Sequence, residues 1–218
     1  MARRKSLAFL DVGQGDCFVA DTKSGAIIFD GGSSSEDQVG RYRILPYMKY
    51  LGYQKIQIAV ISHMDIDHYS GIKELLEMGK IKYLGLPEIP KDETMKKIIG
   101  IAKKRGTTIF YLSRGRQITT KDGSLKVLHP QKNSQMEKNA ASLVMQGKIL
   151  GYRVLLTGDV EKEGEEELLS EELERADILK AAHHGSKNST SNEFLQKVQP
   201  KQTVISCGKQ NRYGHPHL

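Results

Sequence analysis

The segment Ser62-His-Met-Asp-Ile-Asp-His-Tyr-Ser-Gly71 places two histidines and two aspartates within six residues. It continues the apolar run Ile56–Ser62, whose composition is typical of a strand. Imidazole and carboxylate groups are ligands that Zn²⁺ and Mn²⁺ take in proteins. Because the loop after a strand can gather side chains at the strand's end, the cluster favours a metal site over a polar loop with capping aspartates. The candidate ligands are His63, Asp65, Asp67 and His68.

Two later strands end in side chains of the same kind. Asp159 closes the segment Leu155-Leu-Thr-Gly-Asp159, and two histidines close the segment Ile178-Leu-Lys-Ala-Ala-His-His184. Taken separately, Asp159 could cap the following helix, and one histidine of the pair could be structural. Three strands that end in ligand-type residues instead predict that their ends meet at one site.

The order of the predicted elements indicates two sheets with helices outside them. The first half is rich in strands, one strand–loop–helix unit follows, and the second half is rich in strands again. We therefore expect an α+β protein in which two sheets pack face to face under flanking helices. Its 218 residues fit a single domain over residues 1–218. The predicted helices are Glu36–Gly52, disturbed at Pro46, Ser70–Met78, Asp92–Arg105, Val160–Leu169 and Ser191–Val198.

Composition excludes several classes of protein. With 38% hydrophobic residues and 21 glycines, the chain is typical of a turn-rich globular protein rather than a disordered one. No apolar run approaches the roughly 20 residues of a membrane helix, and no apolar stretch follows the basic start as in a signal peptide. These features predict a cytoplasmic protein. Cys17 and Cys207 form no CxxC motif and are interpreted as two free thiols.

Positive charge is in excess but unevenly distributed. Lysine and arginine number 33 against 26 aspartate and glutamate residues, a net charge of +7. Residues 161–177 alone carry −7, because nine acidic side chains accompany Lys162 and Arg175 there, and the rest of the chain carries +14. A basic protein with one acidic helix points to nucleic acid as a partner, although a solvated surface rich in lysine explains the charge equally well.

Seven short motifs run in order through almost the whole chain. They are Leu10-Asp-Val-Gly-Gln-Gly-Asp16, Ile28-Phe-Asp-Gly-Gly32, Ser62–Gly71, Asn139-Ala-Ala-Ser-Leu-Val144, Leu155–Asp159, His183-His-Gly-Ser186 and Asn211-Arg-Tyr-Gly-His-Pro-His217. Together they resemble the metallo-β-lactamase superfamily. Within it they are similar to the metallo-β-lactamase-like domain of ComEC-type DNA-uptake (competence) proteins and their stand-alone relatives.

This resemblance implies an αββα sandwich of two packed mixed β-sheets flanked by helices, with two divalent metal ions at one edge between the sheets. Position 65 is Asp here, where the superfamily more commonly has His, so Mn²⁺ becomes a rival to Zn²⁺. The implied ligands are His63 and Asp65 for one ion, Asp67 and His68 for the other, Asp159 as the bridge, and His183 as the late histidine, with His184 as its alternative.

The resemblance also assigns residues around the ions. The middle histidine ligand of the superfamily has no counterpart, because residues 130–150 contain no histidine. Asn139 or Ser142 lies where that ligand would fall, which leaves double occupancy open. Asp16 and Asp30 would orient the ligating histidines as hydrogen-bond acceptors.

The last motif is interpreted as a substrate-facing loop. By family analogy, His215 would contact a phosphate or a metal, or protonate the leaving group as a general acid. Asn211 and Arg212 would hydrogen-bond a phosphodiester. An ordinary surface loop is the competing interpretation. His129 is interpreted as structural. Because relatives usually continue beyond Leu218 into another helix, we expect either a truncated fragment or an incompletely represented protein.

We expect a metal-dependent hydrolase, foremost a phosphodiesterase or nuclease that acts on DNA or RNA through a metal-activated hydroxide. Asp67 would orient the hydroxide, so the expected catalytic residues are Asp67 and His215. Two alternatives stay open: a lactone, thioester or lactam hydrolase, and a metal-stabilised nucleic-acid-binding module without catalysis. A domain excised from a membrane competence protein would be extracytoplasmic, and the oligomeric state is open. The residues expected to hold backbone phosphates are Lys96, Lys97, Lys103, Lys104 and Arg105.

Overall fold

The computed structural model describes residues 5–137 and 139–217. Its first sheet contains β1 (Ser6–Phe9), β2 (Phe18–Thr22), β3 (Gly25–Phe29), β4 (Ile56–Val60), β5 (Ile81–Pro87) and β6 (Thr108–Leu112). The strands lie side by side in chain order. Pairing is antiparallel from β1 to β3 and parallel from β3 to β6, so the sheet is mixed.

The second sheet contains β7 (Gln117–Thr120), β8 (Gly123–His129), β9 (Val144–Ile149), β10 (Tyr152–Leu156), β11 (Ile178–Lys180) and β12 (Gln202–Val204). These strands also follow chain order across the sheet. Pairing is antiparallel from β7 to β10 and parallel from β10 to β12. Each sheet therefore begins with antiparallel pairs and ends with parallel pairs.

The five longer helices are α1 (Leu45–Tyr50), α2 (Ile66–Glu77), α3 (Glu93–Lys104), α4 (Lys162–Leu169) and α5 (Asn192–Val198). The first differs from the prediction, because a π-helical turn at Gly40–Ile44 leads into α1. Pro46 lies in the first turn of α1 rather than interrupting a helix, and a missing N–H is harmless there. Among residues 5–137 and 139–217, every helix is too short or too polar to cross a bilayer.

Alternation along the strands divides the buried side chains among three layers. Phe18 packs between the two sheets, whereas its neighbour Val19 packs with the helices outside the first sheet. In β10, Val154 faces the same inter-sheet layer, and Leu155 packs outside the second sheet with residues of α4 and α5. A period of two is what a strand buried on both faces produces. The predicted αββα sandwich is therefore confirmed.

The last turn of α3 lies at the amino ends of the strands β4 and β5, whereas the segment Ser62–Gly71, here called the metal-ligand segment, follows the carboxyl end of β4. Thr107 follows this turn, and its Oγ1 donates to the carbonyl of Ile81, which pairs with Ile56 at the start of β4. His63 follows the other end of β4. Lys103, Lys104 and Arg105 therefore lie at the end of the strands away from His63, where a phosphate backbone would reach them only by extending across the domain.

Gly32 allows a loop after β3 to touch the backbone of α2. A Cβ atom at Gly32 would lie 2.5 Å from the carbonyl oxygen of Ile66 and 2.6 Å from the backbone nitrogen of His68. Neither backbone atom can rotate away. We expect Gly32→Ala to lower the free energy of unfolding by about 3 kcal/mol in urea denaturation, as overpacking does.

Gly100 supplies the matched control for that variant. It is an exposed residue inside α3, and no atom lies within 4 Å of the Cβ that an alanine would add. Gly100→Ala should raise the free energy of unfolding by about 0.5–1 kcal/mol through helix propensity. Equal stability of the two variants would contradict the close packing at Gly32.

Candidate metal centre

The segments that follow β3, β4, β10 and β11 meet at one edge of the sandwich. The strands β3 and β4 are parallel neighbours, as are β10 and β11, so their carboxyl ends face the same way. Nε2 of His68 lies 3.1 Å from Oδ2 of Asp159, and Nε2 of His184 lies 3.4 Å from the same oxygen. The three strand ends expected to meet are therefore brought together.

The metal-ligand segment is half helix rather than loop. The sequence predicted a helix from Ser70, but α2 begins at Ile66, so Asp67 and His68 lie in its first turn. A carboxylate there is favoured by the helix dipole. Backbone N–H groups of Asp16 and Gly31 donate to the carbonyls of Asp67 and His68 at 3.1 Å and 2.9 Å. The loops after β1 and β3 thus hold the first turn of α2 in place.

Three buried imidazoles share one arrangement of their ring nitrogens. Nδ1 of His68 lies 3.0 Å from Asp30 Oδ2, and Nδ1 of His184 lies 2.8 Å from the carbonyl of Ser206. Nδ1 of His63 contacts Ser62 Oγ at 3.0 Å. The acceptors at His68 and His184 require a proton on Nδ1, which leaves Nε2 with its lone pair. All three Nε2 atoms are buried, and those of His68 and His184 face Oδ2 of Asp159 at 3.1 Å and 3.4 Å. This is how metal-ligating histidines are oriented.

Carboxylates complete four overlapping sets of ligand atoms. In each set the three atoms lie within 4.8 Å of one another. Imidazole nitrogen with carboxylate oxygen is a donor set suited to Zn²⁺ or Mn²⁺. The residues present therefore fit a divalent cation. The sets are His63–His68–Asp159, Asp67–His68–His184, Asp16–Asp30–His68 and Asp16–Asp159–His184.

Burial and mutual charge shift the pKa values of these groups in opposite directions. Burial, together with the neighbouring His68, holds the pKa of His63 well below its usual value. Burial also lowers the pKa of His68, but the carboxylates of Asp159 and Asp30 outweigh it and raise that pKa well above its usual value. Burial disfavours the Asp159 carboxylate, yet His68 and His184 hold its pKa well below the usual range. Protons and a divalent cation therefore compete for the same nitrogen atoms.

Lys180, which the sequence analysis did not single out, lies within this cluster at the end of β11. Its Nζ contacts Oδ2 of Asp16 and lies 3.6 Å from Oδ1 of Asp159. Burial lowers the pKa of Lys180, but Asp16 and Asp159 outweigh it and raise that pKa above its usual value. The signal in the sequence was a lysine in an apolar strand that ends in two histidines.

Asp16 and Asp30 do not play the same part. Asp30 contacts His68 as expected, and its other oxygen accepts from the Ser62 backbone N–H at 2.7 Å. Asp16 was expected to orient a histidine too, but its oxygens lie 3.8 Å from His68 and 3.7 Å from His184. These separations exceed a hydrogen bond, so Asp16 pairs with Lys180 instead.

Of the two adjacent histidines, the structure turns His184 rather than His183 into the cluster. The His184 side chain is 2% exposed, and its Nε2 lies 3.4 Å from Oδ2 of both Asp67 and Asp159. The His183 side chain is 24% exposed, and its Nδ1 lies 2.9 Å from Glu161 Oε1. Both residues adopt left-handed backbone conformations, with φ of 46° and 53°. His183 Nε2 lies 4.0 Å from Oδ2 of Asp159, so this geometry favours His184 as the ligand over the expected His183.

The last motif reaches the centre through His215 but not through Asn211. Nδ2 of Asn211 donates to the carbonyls of Gly208 and His215, and its Oδ1 accepts from the N–H groups of Tyr213 and His215. A carboxamide so engaged has no donor left for a phosphodiester, which corrects the expectation for Asn211. His215 lines the cleft over the centre, and burial with neighbouring histidines lowers its pKa.

The two candidates for the position of the missing middle histidine hydrogen-bond to residues near Asp159. Ser142 is fully buried, and its Oγ accepts from the backbone N–H of Asp159 at 3.3 Å. Asn139 donates its Nδ2 to Glu161 Oε1 at 3.5 Å. Nδ1 of His129 lies 2.9 Å from the carbonyl of Ser142, in keeping with a structural interpretation. Ser142 and His129 support the loop that carries Asp159 rather than the cluster itself.

Two clefts open at this edge, and their charges differ from the expected basic surface. The smaller, of ≈ 310 Å³, is lined by Asp67, Asp159, His184 and His215, with Arg212 at its wall. The larger, of ≈ 1240 Å³, is predominantly acidic despite Lys162 and Lys187. Its acidic residues are Asp65, Glu137, Glu161, Glu163, Glu165 and Glu166. The positive excess of the chain is therefore not gathered at the larger cleft.

Comparison with known proteins gives a family and a fold. A model of the Metallo-beta-lactamase superfamily matches residues 10–209. ComE operon protein 3 of Bacillus subtilis (strain 168) is 37% identical over 227 residues, which cover 95% of this chain and 29% of that protein. Competence protein ComA of Neisseria gonorrhoeae is 30% identical over 216 residues, which cover 94% of this chain and 27% of that protein. The chain spans less than a third of the length of these relatives.

A solved structure has the same fold. The metallo-beta-lactamase fold protein YhfI from Bacillus subtilis superposes with a TM-score of 0.64 at 14% sequence identity. The match covers 97% of this chain and 90% of that one. At 14% identity, this similarity shows only that the two proteins share a fold.

Proposed function

The chain belongs to the metallo-beta-lactamase superfamily, and from that premise we propose that it is a divalent-metal-dependent phosphodiesterase that cleaves nucleic acid. The observation that carries the proposal is the convergence of the buried Nε2 atoms of His68 and His184 on the carboxylates of Asp67 and Asp159, at 3.1 to 3.4 Å. The name of the Neisseria relative, a competence protein, supports nucleic acid as the substrate.

In this proposal His68, His184, Asp67 and Asp159 hold the principal divalent cation, and His63 completes the centre. A cation bound there supplies a Lewis acid for a phosphoryl oxygen and lowers the pKa of water toward ~7. Asp30 and Ser206 keep Nδ1 of their histidines protonated, so both present Nε2 lone pairs.

Residues at the wall of the smaller cleft bind and orient the substrate. The side chain of Asp67 is 15% exposed there, and its carboxylate accepts a hydrogen bond from the attacking water and orients it. Arg212 is exposed at the same wall and binds an oxygen of the phosphodiester. His215 lines the same cleft, where its imidazole can transfer a proton to the leaving oxygen.

The acidic cleft favours a second candidate function. Its carboxylates repel a polyanion but accept a neutral substrate, so a lactone or thioester hydrolase is the alternative.

One set of assays decides between the two. Protein stripped by chelator and reloaded with Mn²⁺ or Zn²⁺ is offered single- and double-stranded DNA, RNA and bis(4-nitrophenyl) phosphate, beside lactones, thioesters and nitrocefin. We expect metal-dependent cleavage of phosphodiesters, reduced at least about 100-fold in Asp67→Ala. Glu77→Ala, at the exposed far end of the same helix, should cleave like the wild type.

Two outcomes would count against the phosphodiesterase, and a third would count against the role of Asp67. Cleavage confined to lactones or thioesters would favour the second candidate. Nucleic-acid binding that survives chelator without any cleavage would favour a binding module. Equal cleavage by wild type and Asp67→Ala would remove Asp67 from the mechanism.

A further inference from the structure

Lys180 is a buried cation at a place where the fold family leads one to expect metal. The residue is 4% exposed, and its Nζ also donates to the carbonyl of Gly158 at 3.3 Å. A buried ammonium is stable only when carboxylates or hydrogen bonds compensate its lost hydration. Asp16 and Asp159 provide that compensation.

The ammonium therefore competes with metal for two of the four ligand sets. Asp16 belongs to the sets Asp16–Asp159–His184 and Asp16–Asp30–His68, and Oδ2 of Asp16 is the atom that Lys180 contacts. A divalent cation placed there would meet a positive charge at close range, which is strongly unfavourable in a buried site.

The two remaining sets cannot both be filled. Each of them includes His68, whose Nδ1 lies 3.0 Å from Asp30, so Nε2 is the nitrogen left to bind metal. One nitrogen lone pair serves one ion. A second ion would then have His63 as its histidine ligand, together with carboxylates such as Asp159. The middle histidine ligand of the superfamily is missing, because residues 130–150 contain no histidine.

We propose that the Lys180 ammonium takes the place of a second cation, so that the centre binds one divalent ion tightly rather than two. The inference rests on the metal centre of the proposed function but not on its substrate. Lys180 is thus a positioning residue that balances the charge of Asp16 and Asp159.

Metal counts on the full chain test this inference. Wild-type protein and variants are stripped, incubated with Mn²⁺ or Zn²⁺, desalted and analysed by elemental analysis and calorimetric titration. We expect about one tightly bound ion per wild-type chain and about two per Lys180→Met chain, where Oδ2 of Asp16 and Oδ1 of Asp159 become available to a second ion. Lys180→Arg keeps the charge and should bind as the wild type does.

Lys201→Met is the matched control. Lys201 also pairs with an aspartate of the second half, Asp177, but its side chain is 72% exposed and outside the cluster. It should leave the count unchanged. Two tight ions in the wild type, or no gain in Lys180→Met, would overturn the inference. If Lys180→Met does not fold, the wild-type count by native mass spectrometry still decides. Because metal counts require no substrate, failure here is distinguishable from failure of the nuclease assay.

Discussion

Asp159→Asn is expected to bind no metal tightly and to lose phosphodiesterase activity by at least about 10³-fold in kcat/KM. Asp159 belongs to two of the ligand sets, and its Oδ2 lies within 3.4 Å of Nε2 of both His68 and His184. The substitution conserves side-chain volume but removes the negative charge, so the loss reports electrostatics rather than packing. Calorimetric titration with Mn²⁺ and Zn²⁺ measures the affinity, and steady-state cleavage of bis(4-nitrophenyl) phosphate measures the rate.

Asp177→Asn is the control for this variant. Asp177 also belongs to the second half of the chain, where it pairs with Arg153 and Lys201 at the surface rather than with a histidine. Its metal affinity and rate should match the wild type. Tight metal binding by Asp159→Asn would show that the ion is held elsewhere, and the proposed centre would then be rejected.

The adjacent histidines allow a second decisive comparison. His184→Asn is expected to weaken metal affinity at least about 100-fold, because it removes a buried Nε2 that faces Asp67 and Asp159. His183→Asn should change the affinity less than about threefold, since its ring lies outside the four ligand sets found in the described part of the chain. Asparagine tolerates the left-handed backbone that both residues adopt, which keeps the two variants comparable.

Competition titration against a chromogenic chelator measures both affinities in one buffer. Thermal denaturation in excess chelator separates a folding defect from lost metal binding. A larger affinity loss in His183→Asn than in His184→Asn would reverse the assignment and restore the expectation from sequence.

Local sequence predicted the cluster better than the backbone that carries it. His63, Asp67 and His68 are close in the chain, so any strand-to-helix connection brings them near one another. The start of α2 at Ile66 was missed because Asp and His have modest helix propensity, and the packing of Gly31 and Gly32 against the first turn decides the boundary.

Contacts between distant segments could not be predicted in the same way. Which of His183 and His184 points inward depends on two successive left-handed residues, and no rule of spacing indicates them. The pairing of Lys180 with Asp16 joins residues from opposite ends of the chain. The acidic segment 161–177 was evident in the sequence, and four of its glutamates line the larger cleft, but the sequence could not show that this segment faces the centre.

Three of the four ligand sets combine residues of both halves of the chain, which fixes the order in which their members are synthesised. His63, Asp67 and His68 leave the ribosome well before Asp159 and His184, so the nascent first sheet carries imidazoles and carboxylates without their partners. An ion captured at that stage would have an incomplete coordination shell and would exchange readily. If the proposed centre binds an ion, tight uptake would therefore be a late event, and a retained ion would report that the two halves of the chain have packed together.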